Sequence, residues 1–197
     1  MRVNLAGSGA SLARLLEKEY LMRHNALNGW SFSPMIAENF SSPPSKTVSF
    51  FLYRIDVDSA RRHVERTGEP GRFALGLELH YLLTAWGPSA AAEQTMLGEC
   101  MEIMDRHALI SGAGLDPAYS WEDGDALKVC LESLPNEDML RLWDSFGSPY
   151  RLSLSYLVRT VRLAFAQRVN PPMVDAVVRE YVPALPPRGL ARENLGS

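Results

Sequence analysis

The chain has 197 residues, 46% hydrophobic and 22% charged, with a net charge of −3 at pH 7. This is ordinary globular composition, and it excludes a disordered chain, a collagen or a heptad fibre. The weakly acidic balance gives no sign of the basic face that grips nucleic acid through its phosphates. The cations are lopsided, 17 Arg against 3 Lys. Arg holds carboxylates bidentately and is favoured at protein interfaces; a GC-rich coding bias gives the same count. Cys100 and Cys130 form neither a CxxC motif nor a disulfide framework. The N-terminus lacks a signal-peptide pattern, and no run approaches the ~20 apolar residues that span a bilayer. The expectation is a protein folded in a reducing cytoplasm, without nucleic-acid or membrane contact.

Residues 12–27 are predicted as a helix capped by Ser11, with Leu12, Leu15, Leu16 and Leu21 on its apolar stripe. The Gly/Ser-rich stretch before it, Gly7 to Ser11, reads as flexible. Residues 29–46 read as a loop, because Ser, Pro and Asn are frequent and Pro43-Pro44 bars a helix. That length is unusual for an idle connection. Thr47 to Ile55 has apolar residues on both faces, which predicts a central strand. One or two helical turns are expected around Ser59–Arg66.

Phe73 to Trp86 alternates without a break, with Leu75, Leu77, Leu79, Tyr81, Leu83 and Ala85 on one face. Gly76, Glu78, His80, Leu82, Thr84 and Trp86 share the other. A strand of ~14 residues exceeds the usual ~5–6, so it is expected to project beyond the core or pair with another chain. Ser89 caps a helix to about His107 with the stripe Leu97, Cys100, Met101, Met104 and Ala108. A Gly/Asp-rich loop covers 111–125. Ala126 to Leu134 is a strand with Leu127, Val129 and Leu131 inward, and a short helix runs from Pro135-Asn136 through Leu140, Trp143 and Phe146. Tyr150 to Phe165 is a second long strand. Its apolar phase slips after Val158, which predicts a bulge or a bend near Arg159-Thr160.

The order α, β, β, α, β, α, β lacks regular βαβ alternation. It predicts an α+β fold with a mixed, largely antiparallel sheet of about four long strands flanked by helices. The expected division is a domain over 1–169 and a Pro-rich extension over 170–197, ordered by a partner. Val174, Val177, Val178 and Tyr181 suit one short amphipathic helix there.

The chemistry-bearing residues form no recognisable catalytic, cofactor or metal motif. His24, His63, His80 and His107 fall in no HExxH or HxH spacing, and no GxSxG elbow occurs. Cys100 on its helix stripe is expected to be buried. Glu78 and His80, two apart on one strand face, are the one candidate acid/base pair. They support an alternative reading as a small α+β enzyme or ligand-binding domain; the plainer reading is a polar or subunit-facing sheet surface.

Three blocks in fixed order carry a resemblance: Phe50–Ile55, Leu75–Gly87 with HYLLTAWG (His80–Gly87) followed by Glu93–Met104 with LG (Leu97-Gly98), and Leu134–Leu163 with LW…PYRLSLSY (Leu142-Trp143, Pro149–Tyr156). Together they resemble the cap, or tail-terminator, family of contractile injection systems, which includes the antifeeding prophage and the Photorhabdus virulence cassettes. The resemblance implies a phage tail-terminator-like fold and a structural rather than enzymatic role. It implies a hexameric ring of this chain that ends the inner tube and anchors the last sheath layer, distal to the baseplate. Its partners would be further copies, the inner tube protein and the sheath protein, in a particle either released or kept inside the cell. Arg151, Arg159, Arg162, Glu78, His80 and Tyr181 are the candidate interface residues.

Overall fold

The structure, a computed structural model, describes residues 4–58 and 76–162. All lie in the first of the chain's two units, Met1–Phe165. Helix α1 spans Leu5–His24 and is capped by Asn4, whose side chain accepts from the Gly7 N–H at 2.9 Å. The sequence placed this start seven residues later, because Gly and Ser disfavour helix interiors. Close packing overrides that propensity. A Cβ on Gly9 would sit 3.4 Å from both the Tyr81 hydroxyl and Pro34, so the small residues let the helix approach the sheet. Ser11 is a buried helix residue rather than the cap. Its hydroxyl donates to the Gly7 carbonyl at 2.7 Å and accepts from the Asp116 N–H at 2.9 Å. Leu21, expected on the stripe, is exposed.

The stretch expected as a loop contains strand β1 (Ser31–Pro34) and a 3-10 turn, Ala37–Ser41. Then follow β2 (Thr47–Val57), β3 (Leu77–Trp86), α2 (Ala90–Arg106), β4 (Leu109–Ser111), β5 (Asp125–Glu132), α3 (Asn136–Ser145) and β6 (Ser153–Arg162). The Ser89 hydroxyl caps α2 as predicted, accepting from the Ala92 N–H at 3.3 Å.

The described strands form one sheet in the order β1-β2-β3-β6-β5-β4. Only β1 and β2 are parallel; the other pairs are antiparallel. The predicted α+β class and largely antiparallel mixed sheet hold. Four strands are long, and the two short ones, β1 and β4, lie at the edges, where short strands limit unwanted pairing.

Two strand expectations are corrected. The described part of β3 lies between β2 and β6, and nine of its ten residues are buried; residues 73–75, where the expected strand begins, lie outside the described residues. Central strands are buried on both faces, which is why its second face is also largely apolar. β2 is not central but lies one strand from the edge. The register of β5 on β6 runs unbroken from Asp125↔Arg162 to Glu132↔Ser155. The irregularity falls instead in β2, between Leu52 and Arg54. Leu163, Phe165, the turns expected at 59–66 and the C-terminal extension lie outside the described residues.

Two cores occupy the two sheet faces. Under α1 and α2, Leu12, Leu16, Leu79, Leu83, Ile103, Leu127 and Val158 form the larger. Under α3, Phe40, Leu82, Trp86, Met139 and Trp143 form the smaller. The period-2 reading of β3 gives the first, with Leu77, Leu79, Tyr81 and Leu83 on one face; the second, with Leu82 and Trp86, occupies the face read from sequence as polar or subunit-facing. Leu131, expected inward, is exposed, and so is Leu140 on the short helix α3.

Candidate functional site

The polar half of the second sheet face lies beyond the aromatic core, and His80 is at its centre. His80 is 4% exposed. Its Nδ1 lies 2.9 Å from Glu132 Oε2 and its Nε2 lies 3.1 Å from Asp56 Oδ2. Glu132 also accepts from Tyr53 at 3.2 Å and from Ser155 at 3.0 Å. Asp56 forms an ion pair with Arg54, and Glu78 accepts from Arg159 Nε at 2.8 Å. The network links β2, β3, β5 and β6 at one level of the sheet.

The irregularity in β2 makes this possible. Phe50 and Leu52 pack toward the larger core, while Phe51 and Tyr53 face the smaller one. After the shift, Arg54 stands opposite His80 and Asp56 opposite Glu78. An extra residue reverses the alternation that follows it, so both charged side chains turn to the His80 face. Without it, Asp56 would point at the apolar core.

Charge is compensated locally. The hydrogen bond from Arg54 is the largest influence on Asp56 and draws its carboxyl below the usual value. Burial pushes the Glu132 carboxyl up, but hydrogen bonds from His80 and Ser155 outweigh it, and the group also lies below the usual value. Burial raises the Tyr53 phenol, which keeps it a donor.

Glu78 and His80 do share a face, as the sequence indicated. They do not form an acid/base pair facing a substrate. Each His80 nitrogen lies against a carboxylate, and Glu78 is held by Arg159. Asp56, Glu78 and His80 place one donor atom each within 4.8 Å of one another, a spacing that suits a small cation. Two guanidinium groups already occupy those carboxylates, so the site reads as a charge-balanced cross-link.

The arginines singled out from sequence are spread along the last strand. Arg151 precedes β6, pairs with Glu93 and lies 5.3 Å from the Trp86 ring centroid. Arg159 lies eight residues on, about 27 Å away along an extended strand at ~3.4 Å per residue. The backbone of Arg162 pairs with Asp125. Tyr181 lies outside the described residues. Sequence reasoning missed Asp56, Glu132 and Tyr53. The outward alternation of Lys128, Cys130 and Glu132 was a usable signal for Glu132; the irregularity in β2 hid the other two.

The fold is similar to that of the PVC sheath/tube terminator of an extracellular contractile injection system in its extended state. The TM-score is 0.56 at 17% identity, over 93% of this chain and 65% of that one. The anti-feeding prophage cap, which terminates its tube, aligns over 59% of this chain and 42% of its own length, at 21% identity and a TM-score of 0.39. The chain thus covers less than two thirds of the terminator and less than half of the cap. No curated protein matches it. Residues 9–176 match the model of the Pvc16 N-terminal domain, which takes in every described element from the body of α1 to β6, so the chain belongs to the Pvc16 N-terminal domain family.

Proposed function

We propose that this chain caps a contractile injection particle. It forms a ring at the end distal to the baseplate, stops growth of the inner tube and anchors the last sheath layer. The observation that carries this reading is the family match over residues 9–176, together with a terminator-like fold over 93% of the chain.

The physical features agree with a structural role. The strongest cluster of titratable groups is a network of paired charges within the sheet. No helix of the described residues is long and apolar enough to cross a membrane. Many large apolar side chains remain on the surface, including Met101, Leu131, Leu140, Tyr150 and Leu152. Apolar exposure of this kind marks surfaces that bind other proteins. A closed ring needs two different complementary patches per copy, and six copies is the number this reading adopts. Arg151, with its side chain at the sheet end, is a candidate contact to tube or sheath.

The test is electron microscopy of particles from cells lacking the chain. Tubes of uncontrolled length, or sheaths detached at one end, are expected. Particles of normal length with intact sheaths would overturn the proposal.

A further inference from the structure

The two edges of the sheet have complementary outlines. β1 pairs with β2 only from Thr47 to Phe50, and the Met35 N–H closes that ladder on the Phe50 carbonyl. β2 runs on to Val57, and no described strand pairs with this further part on its outer side. The sheet is therefore recessed at the Val57 end of β2. At the opposite edge it protrudes: β4 forms an outer strand on Ala126 to Lys128.

Recess and protrusion stand at one height. Asp56, Glu78, Arg159, Lys128 and Leu109 follow one another across the sheet as register partners. Four successive antiparallel steps separate β2 from β4, so the two strands run in the same direction.

The backbone phases also match. Backbone groups in a strand alternate sides. The Asp58 N–H donates to the Gly76 carbonyl at 3.0 Å. That turns Asp56 and Asp58 toward β3 and leaves the N–H and C=O of Ile55 and Val57 facing out. The Val129 N–H donates to the Ala108 carbonyl at 2.8 Å. Ala108 and Ile110 thus face β5, and the backbone groups of Leu109 and Ser111 face out. In a parallel pair, a residue bonds to the two neighbours of the residue opposite it. With Val57 opposite Ile110, the Val57 N–H donates to the Leu109 carbonyl and the Ser111 N–H donates to the Val57 carbonyl.

The side chains agree. Ile110 belongs to the larger core. Val57 alternates with Asp56 and so points to that same face. Ile55, Val57 and Leu109 are exposed apolar residues, and such residues beside unpaired backbone groups mark an edge open to another chain. Two β2 edges, or two β4 edges, would meet only about a two-fold axis, which closes a dimer. Rotation about an axis along the strands keeps every copy's strands in one direction and brings β4 of one copy to β2 of the next.

We infer that β4 of a second copy adds in parallel to the open end of β2, with Val57 opposite Ile110. The inference deepens the ring reading and rests on it: each copy gives one edge and receives the other, the head-to-tail contact that closes into a ring.

The test uses particles from cells whose full-length chain carries Leu109→p-benzoylphenylalanine. Irradiated particles are digested and linked peptides are identified by mass spectrometry. Position 109 lies about 19 Å from β2 of its own copy, four strand spacings away, which is too far for an internal link. Links to residues 51–57 are expected. Val57→Pro removes the outward N–H without touching the ladder to β3, and should reduce these links roughly tenfold or more. Val57→Ala keeps the N–H and should leave them nearly unchanged. Links from position 109 to β4 of another copy, or to tube or sheath protein, would overturn the inference, and so would links that survive Val57→Pro. Copies present at the particle end without links to 51–57 sink this contact and leave the ring reading. Particles that carry no copy of the chain sink both.

Discussion

Replacing Phe40 by Ala tests whether the stretch predicted as a loop is part of the core. Phe40 is 0% exposed. Its ring centroid lies 5.5 Å from Phe51, 5.3 Å from Trp86, 5.6 Å from Trp143 and 4.3 Å from Phe146. Truncation of a buried Phe costs about 3–5 kcal/mol in transfer and cavity terms. Four aromatic neighbours, each adding ~0.5–1.5 kcal/mol beyond area, place this site in the upper half, near 4 kcal/mol. For a chain of this size ~1 kcal/mol moves Tm by about 2–4 °C, so a fall of roughly 8–16 °C is expected. Calorimetry or near-UV dichroism reads it directly, since the tryptophans of the cluster report tertiary packing. The control is Ile36→Ala at 60% exposure, expected within about 0.5 kcal/mol of the parent. A loss below about 1 kcal/mol at Phe40 would refute the placement of residues 37–41 in the smaller core.

Further outcomes follow from the same structure. The carboxyls of Asp56 and Glu132 lie below their ordinary values of 3.8 and 4.5. Their contribution to stability is therefore present above those values and lost as pH falls through the lowered folded ones. Melting followed from pH 7 to pH 3 should show a steep decline below about pH 4.5, and Glu132→Gln should flatten it; identical slopes would remove Glu132 from the account. Ser11→Ala leaves the Asp116 N–H without its acceptor and should cost about 1–3 kcal/mol by denaturant unfolding; an unchanged midpoint would mean that the loop after β4 is not tied to α1. A thiol reagent applied to folded protein should label Cys130 and spare Cys100, whose thiol burial pushes well up; full unfolding should expose both, and labelling of two thiols in the native state would contradict the packing of α2.

The sequence carried the long-period features well. Unbroken alternation through β3 identified a long strand with one fully apolar face, although the central place was assigned to β2. Ser89 and the spacing of Leu97, Cys100 and Met104 located α2. What failed was local signal overridden by tertiary contact. Gly7, Gly9 and Ser11 look like a flexible start, yet small size is what lets α1 lie against Tyr81. The strand Ser31–Pro34 has only four residues and includes a proline, so no periodicity develops. The length of the 29–46 segment was the one clue to its role, and Phe40 is the reason. At the candidate site, Glu78 and His80 were legible as a pair. Their neutralisation was not, because Asp56 reaches the face only through an irregularity in β2 that leaves no mark in composition.

The central claim is positional, and the most direct measurement is where the chain sits on an assembled particle. A small tag placed at the start of the chain, outside the described residues, can be imaged by gold labelling on intact particles. Label at one end only, opposite the baseplate and beyond the last sheath layer, is the predicted result. Label along the whole tube, at the baseplate, or on no particle at all would contradict the account.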